Sequence, residues 1–217
     1  ARCGYARTLS AVVGRRNIMS ISAIILAAGE SKRMGQPKMI LKWGNTTVLD
    51  HVISVFANVG VEDIVVVTGA AREEVEKIIS AAQTMYPVRS VFNEEYTNGE
   101  MLSSIQCGLR ELAGKNSRAA LIALGDQPQV REGSARRVCD AFKETGSPLV
   151  VPSYHMRRGH PWLAAKSLWD EILALRAPQT PRDFLNARAD KIKYVEVDDA
   201  GILADLDTPE QYRAYEP

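Results

Sequence analysis

The chain has 217 residues, 46% of them apolar and 24% charged, with 27 lysines and arginines against 26 aspartates and glutamates. That length suits one large domain, and the apolar share supports a packed core. A formal net charge of +1 excludes the global basic field of a nucleic-acid binder, so any anion site must be a local arrangement; no apolar stretch approaches the roughly 20 residues a membrane span needs.

In chain order, residues 1–18, "ARCGYARTLSAVVGRRNI", carry four arginines and no acid. Met19 then opens "MSISAIILAAG", so residues 1–18 read as a translated leader or non-native extension and residues 19–217 as a single domain. "LSAVVG" is shorter than a usual signal-peptide core. The β-branched runs "AIILAA" (23–28) and "DIVVVTG" (63–69) predict strands buried on both faces, as do "SVF" (90–92), "AALIALG" (119–125) and "PLVVP" (148–152). Helical spacing falls between them: Val48, Val52, Val55 and Phe56 within 46–58, Val75, Ile78 and Ile79 within 72–83, and Met101, Ile105, Leu109 and Leu112 within 101–113. Past residue 150 the order breaks. "SYHMRRGHPWLAA" suits a hairpin or pocket wall, short helices follow near 166–175 and 181–188, and 192–199 is a late strand. Residues 208–215 close the chain as a helix, with Thr208 as N-cap and Pro209 at its first position. The succession βαβαβ implies a three-layer α/β domain, a mostly parallel, Rossmann-like sheet with helices on both faces. Cys3, Cys107 and Cys139 are odd in number and share no CxxC spacing, which points to reduced cytoplasmic thiols rather than a disulfide framework.

Such sheets bind ligands at the carboxyl ends of their strands. The first such loop is "LAAGESKRMGQPK" (26–38). It lacks the GxGxxG of a dinucleotide site, because Gly29 and Gly35 stand six apart, and it lacks the GxxxxGK[ST] of a P-loop. What is left is a turn with free backbone N–H groups near Gly29 and Ser31, plus Arg33 and Lys38. That is either a nest for a triphosphate or a solvated basic turn. Asp126 directly follows the strand 119–125, with Pro128 stiffening the turn behind it; such an aspartate serves as a ligand or as a turn residue. Asp205 and Asp207 lie in "LADLDTP", where they either ligate or cap the last helix.

The 26–38 stretch resembles the LAAGxSxRMGxxK signature of the MobA-like nucleotidyltransferases, in particular their molybdenum cofactor cytidylyltransferase branch. Four further stretches agree in order: "NGEMLSSIQCGL" (98–109), "ALGDQPQV" (123–130), "RRGHPWL" (157–163) and "GILADLDTPEQY" (201–212). The resemblance implies a fold of the nucleotide-diphospho-sugar transferase type. It implies an enzyme, using Mg²⁺, that transfers CMP from CTP, or a nucleotide from another NTP, to a molybdopterin-type cofactor and releases pyrophosphate. It further implies Leu26, Ala27, Ala28, Gly29 and Ser31 lining the nucleotide, Arg33 and Lys38 on its phosphates, and Asp126 with Asp205 on the metal, Asp207 being the alternative second carboxylate. Ser103 and Ser104, near a helix start, contact the nucleotide or cap the helix. Arg157, Arg158 and His160 face the acceptor, and a molybdenum hydroxylase would receive the product. Guanylyl-transferring relatives have LAGG where this chain has LAAG, which ties Ala28 to cytidine. Glu100 departs from the family's usual glycine. Two alternatives accompany this reading: another phosphorylated acceptor or GTP, and a non-catalytic carrier of the finished cofactor.

Overall fold

The structure, a computed structural model, describes residues 20–217; the expectation for residues 1–18, and Cys3, lie outside the described residues. The chain runs from β1 (Ile21–Ala27) through a two-stranded hairpin, β2 (Lys42–Trp43) and β3 (Thr46–Thr47), into α1 (Val48–Val59). It continues with β4 (Asp63–Thr68), α2 (Arg72–Ala82), β5 (Val88–Phe92), α3 (Glu100–Ala113), β6 (Ala119–Leu124) and α4 (Glu132–Thr145). Then come β7 (Leu149–Tyr154), β8 (Arg157–Arg158), β9 (Trp162–Ala165), α5 (Trp169–Ala174), α6 (Pro181–Asn186), β10 (Ile192–Glu196) and α7 (Pro209–Tyr215).

β1 shows how the core is divided. All seven of its residues are buried, and because successive side chains of a strand point to opposite faces, Ala23, Ile25 and Ala27 enter one apolar cluster while Ile24 and Leu26 enter another. The first cluster holds Val52 and Phe56 of α1, Val75 and Ile79 of α2, and Val138 and Phe142 of α4. The second holds Ile105 and Leu109 of α3, Trp169 of α5 and Phe184 of α6. The sheet thus separates two cores, and the three layers follow. On the second face α3 lies close to β1: a Cβ on Gly108 would stand 2.5 Å from Cγ2 of Ile24.

The strand order is β10-β7-β9-β6-β1-β4-β5, with β8 paired to β7. β1 pairs in parallel with β4 and with β6, β4 with β5, and β7 with β10. β9 is antiparallel to both β6 and β7, and β8 to β7, so the sheet is mostly parallel with two short reversed strands. The chain leaves β1 toward β4 and β5 and then crosses to β6 on the other side of β1. The carboxyl ends of β1 and β6 therefore flank the topological switch point, where open α/β sheets bind ligands.

Several expectations shift. Thr46 and Thr47 are paired with Trp43 and Lys42 instead of opening the helix, and the Thr47 side chain caps α1 by accepting the N–H of Asp50 at 3.2 Å. The 192–199 strand stops at Glu196, and the helix expected near 166–175 divides into a 3-10 turn and α5. The helix α4 is an addition: its apolar stripe of Ala135, Val138, Cys139 and Phe142 is narrow within an otherwise charged segment. Cys107 and Cys139 are unpaired, and burial pushes the Cys139 thiol up to about 12. No helix of the described residues is long and apolar enough to cross a membrane.

Candidate active site

The loop after β1 is curled around Ser31. This residue adopts a left-handed φ of 52°, its carbonyl accepts the N–H groups of Met34 and Gly35 at 3.0 and 3.2 Å, and its hydroxyl accepts the N–H of Lys38 at 3.2 Å. Met34 anchors the turn by packing with Leu41, Trp43, Val48 and Leu206. On the other flank the loop runs against the end of β4, where a Cβ on Gly69 would stand 2.3 Å from the carbonyl oxygen of Ala28. Ala28 is held there also by the N–H of Ala70, 3.3 Å from that same oxygen. A cavity of about 270 Å³ opens above the loop. Leu26, Ala28, Gly29, Ser31, Lys38, Ser104 and Asp126 line it, together with Tyr96 and Glu100.

Three expected residues sit elsewhere: Arg33 lines an adjoining cavity of about 210 Å³ with Ser31, Lys38 and Asp207. Ala27 points into the core on the α1 side of the sheet. Ser103 lines a neighbouring cavity of about 510 Å³ and is committed to the start of α3: its hydroxyl donates to the carbonyl of Glu100 at 3.1 Å and accepts from Asn93 Nδ2 at 2.8 Å. Glu100 itself has a φ of 49°, in the left-handed region that glycine tolerates better.

Lys38 is the centre of the charge cluster. Only 8% exposed, it donates from Nζ to Asp126 Oδ2 at 2.8 Å and to Asp207 Oδ1 at 2.6 Å. The other oxygen of Asp207 holds Arg33, 2.6 Å away, whereas Lys32 pairs outside with Glu30. Asp205 instead accepts from Gln127 Nε2 at 2.7 Å. The fold produces this arrangement through Leu206, which is fully buried and donates its N–H to the carbonyl of Asp126 at 3.2 Å. That pin draws both flanking aspartates to the end of β6. Thr208, not an aspartate, caps α7, in a capping box with Gln211, so the carboxylate of Asp207 is free for Lys38 and Arg33.

Protonation follows from these contacts. Burial disfavours the charged form of Lys38, but the charges and hydrogen bonds of Asp126 and Asp207 outweigh it and raise its pKa. Burial likewise opposes ionisation of Asp207, yet Lys38 and Arg33 hold its carboxyl below the usual range. Asp205 goes the other way: burial first, then the like charges of Asp126 and Asp207, push it up against the pull of Gln127. Among the described residues no three metal-ligating side chains form a group. Two carboxylates do converge on one point, the Lys38 ammonium. A hard divalent cation fits that donor set, with phosphate and water oxygens completing its shell.

Arg157, Arg158 and His160 line a separate cavity of about 600 Å³, joined there by Arg182 and Asn186. Arg158 donates to Asn186 Oδ1 at 2.7 Å and lies over the Tyr194 ring. His160 lies between β8 and β9, which both run antiparallel to β7, and has a cis bond to Pro161. Its Nδ1 stands 3.5 Å from the carbonyl of Ile122. Burial pushes its pKa from 6.5 down to about 4, against the Ile122 carbonyl and the charge of Asp126. The histidine is therefore neutral at pH 7. Because the unfolded chain takes up this proton first, the group favours the folded state above pH 6.5 and ceases to do so as pH falls toward 4. His160→Gln is expected to flatten the fall in stability across that window, read as the urea midpoint at pH 7 and at pH 4.5.

The geometry also singles out residues that motif reading passed over. Asp199, 3% exposed, accepts the N–H of Arg131 at 3.0 Å, the hydroxyl of Ser134 at 2.7 Å and the N–H of Gly201 at 3.0 Å. It ties the segment leading to Asp205 and Asp207 onto the start of α4. An aspartate three residues after the β10 strand carries no spacing signal, so sequence could not have marked it. Gln127 lies within the 123–130 stretch, which assigns it no role.

A cavity at the switch point of a parallel sheet, with cations and carboxylates gathered at its mouth, defines an α/β enzyme that works on phosphates of a nucleotide. Residues 23–192 match the family model described as the MobA-like NTP transferase domain; the chain belongs to this family and is a nucleotidyltransferase with the nucleotide-diphospho-sugar transferase fold. It is 27% identical over 197 residues to the molybdenum cofactor cytidylyltransferase of Escherichia coli K12, covering 89% of this chain and 94% of that one. It is 26% identical over 211 residues to the nicotine blue oxidoreductase of Paenarthrobacter nicotinovorans, covering 92% and 98%. Among solved structures, Rv0371c of Mycobacterium tuberculosis H37Rv superposes with a TM-score of 0.74 at 26% identity over 90% of this chain and 97% of that one. A complex of the same protein with manganese gives 0.71 at 25%, over 91% and 98%.

Proposed function

We propose that the protein is a cytidylyltransferase, dependent on a divalent metal, that transfers CMP from CTP to a molybdopterin-type molybdenum cofactor. The observation that carries this reading is the convergence of Lys38, Asp126 and Asp207 at the mouth of the cavity lined by Ala28. The cytidylyltransferase relative of nearly equal length supports the nucleotide and the acceptor, and the manganese complex of Rv0371c supports the metal.

In this reading CTP lies along the loop after β1 with its base over Leu26 and Ala28 and its ribose toward Ser104. Backbone N–H groups near Gly29 and Ser31 hold the phosphates, and Arg33 and Lys38 neutralise them, the arginine as a rigid fork and the lysine as a point charge. The Arg157, Arg158 and Arg182 side chains receive the anionic acceptor. One of its phosphate oxygens forms a bond to the α-phosphorus, the α–β bridging bond breaks, and pyrophosphate leaves with that electron pair. No side chain acts as nucleophile; positioning and charge neutralisation do the catalysis. Mg²⁺ held by Asp126 and Asp207 would supply further neutralisation of the phosphate charge. A neutral His160 in the arginine-lined cavity adds no repulsion toward Arg157, Arg158 or Arg182. The product would pass to a molybdenum hydroxylase.

Pyrophosphate release with each of the four NTPs, with and without molybdenum cofactor, tests this. Turnover with CTP and cofactor alone is the expected pattern; strong turnover with GTP, or only with sugar phosphates, overturns it. Ala28→Gly removes the methyl that narrows the base end of the cavity. It is expected to lower the CTP over GTP ratio of kcat/KM by about tenfold, the scale of one methyl group in a pocket.

A further inference from the structure

The groups assigned to the phosphates and those assigned to the metal hold one another. Lys38 Nζ lies 2.8 Å from Asp126 and 2.6 Å from Asp207, and Arg33 lies 2.6 Å from the second oxygen of Asp207. Two cations thus face two carboxylates, and the lysine sits on the oxygens a divalent ion would need. An incoming bare metal has to expel an ammonium that is 8% exposed. It would also leave Lys38 and Arg33 without an anion; the Arg33 side chain is 71% exposed and solvated, but an uncompensated buried ammonium at Lys38 is costly. A metal–triphosphate complex removes both difficulties. Its phosphates take over the lysine and the arginine as the carboxylates turn to the metal, so each charge exchanges one partner for another.

We propose that Lys38, with Arg33, acts as a built-in counter-ion that keeps a divalent metal off Asp126 and Asp207 until a nucleoside triphosphate arrives, so that metal and nucleotide enter as one complex. This rests on the nucleotide-binding reading of the site and is independent of the acceptor. It gives Lys38 two positions in the cycle, on the carboxylates before binding and on the phosphates after it.

Mn²⁺ binding, followed by the electron paramagnetic resonance signal of the free ion, tests the idea without any turnover. The protein alone is expected to bind Mn²⁺ at least about tenfold more weakly than it does with the α,β-methylene analogue of CTP, given the cost of stranding the buried Lys38 ammonium. Lys38→Met removes the counter-ion and should tighten binding of Mn²⁺ alone by about tenfold, whereas Lys38→Arg should leave it weak. Lys38→Gln serves as the second neutral variant, and circular dichroism reports whether each protein is folded. Wild-type protein that binds Mn²⁺ equally well with and without the analogue overturns the proposal, as do neutral variants that bind it no better than wild type. Failure to bind the analogue with Mn²⁺ at all overturns the nucleotide reading, and this inference with it, and is distinguished by the missing analogue signal in calorimetry.

Discussion

Asp126→Asn is expected to lower kcat by about a thousandfold while leaving the protein folded, since a charged group aimed at the phosphates contributes on the order of 10²–10³ and a metal site several kcal/mol more. The residue stands two positions past the end of β6, a strand whose first five residues are buried, so its backbone is fixed by the core. Its carboxylate is 2.8 Å from Lys38. The amide of asparagine has the same shape and can still accept from Lys38, which also keeps Asp207 as a partner. Stability should therefore change by no more than about 1–2 kcal/mol, because no buried charge is left alone. Steady-state pyrophosphate release and a thermal melt separate the two effects. Full turnover in Asp126→Asn would remove the charge cluster from the mechanism; a collapse of the melt would make Asp126 a structural counter-ion of Lys38.

The unequal legibility of this molecule has physical causes. β1 is readable because burial on both faces demands an unbroken apolar run, and "AIILAA" has no competing explanation. The reversed strand β9 is not, since "WLAA" is too short to declare its direction; that is set by pairing with β6 and β7. The helix α4 was hidden by its charge, as only a narrow stripe is needed to pack against a sheet already covered by α1. At the site, motif order named Lys38, Asp126 and the 205–207 pair, because chemistry with phosphates restricts residue type. It put Asp205 ahead of Asp207 as the second metal carboxylate, and the geometric difference between the two was not legible. That depends on the burial of Leu206 between them and on Gln127, a contact 78 residues apart in the chain. Gly69 was equally silent: its requirement arises from how near the Ala28 carbonyl passes, which no local pattern encodes.

The two aspartates should separate sharply under mutation. Asp207→Asn is expected to lower kcat by about a hundredfold, comparable to losing one charged group at a site of charge development. It should also raise the Mg²⁺ concentration needed for half-maximal rate. Asp205→Asn should cost less than about tenfold, because its partner is an amide and an uncharged hydrogen bond contributes only about 0.5–1.5 kcal/mol. The asymmetry follows from what each carboxylate touches. Asp207 binds Lys38 and Arg33, the two cations nearest the loop that receives the phosphates. Asp205 accepts from Gln127 Nε2, and the Oε1 of that glutamine is buried without a partner among the described residues. An asparagine at position 205 can keep the existing bond through its carbonyl and offer its own amide N–H groups nearby. Asp205 is moreover the carboxyl that burial and two like charges push up, so its ionised form is less favoured than that of Asp207 and less suited to sit on a cation. If Asp205→Asn proves the more damaging change and alone alters the Mg²⁺ requirement, the second metal carboxylate is Asp205. Asp207 then serves only to hold Lys38 and Arg33 before the nucleotide binds.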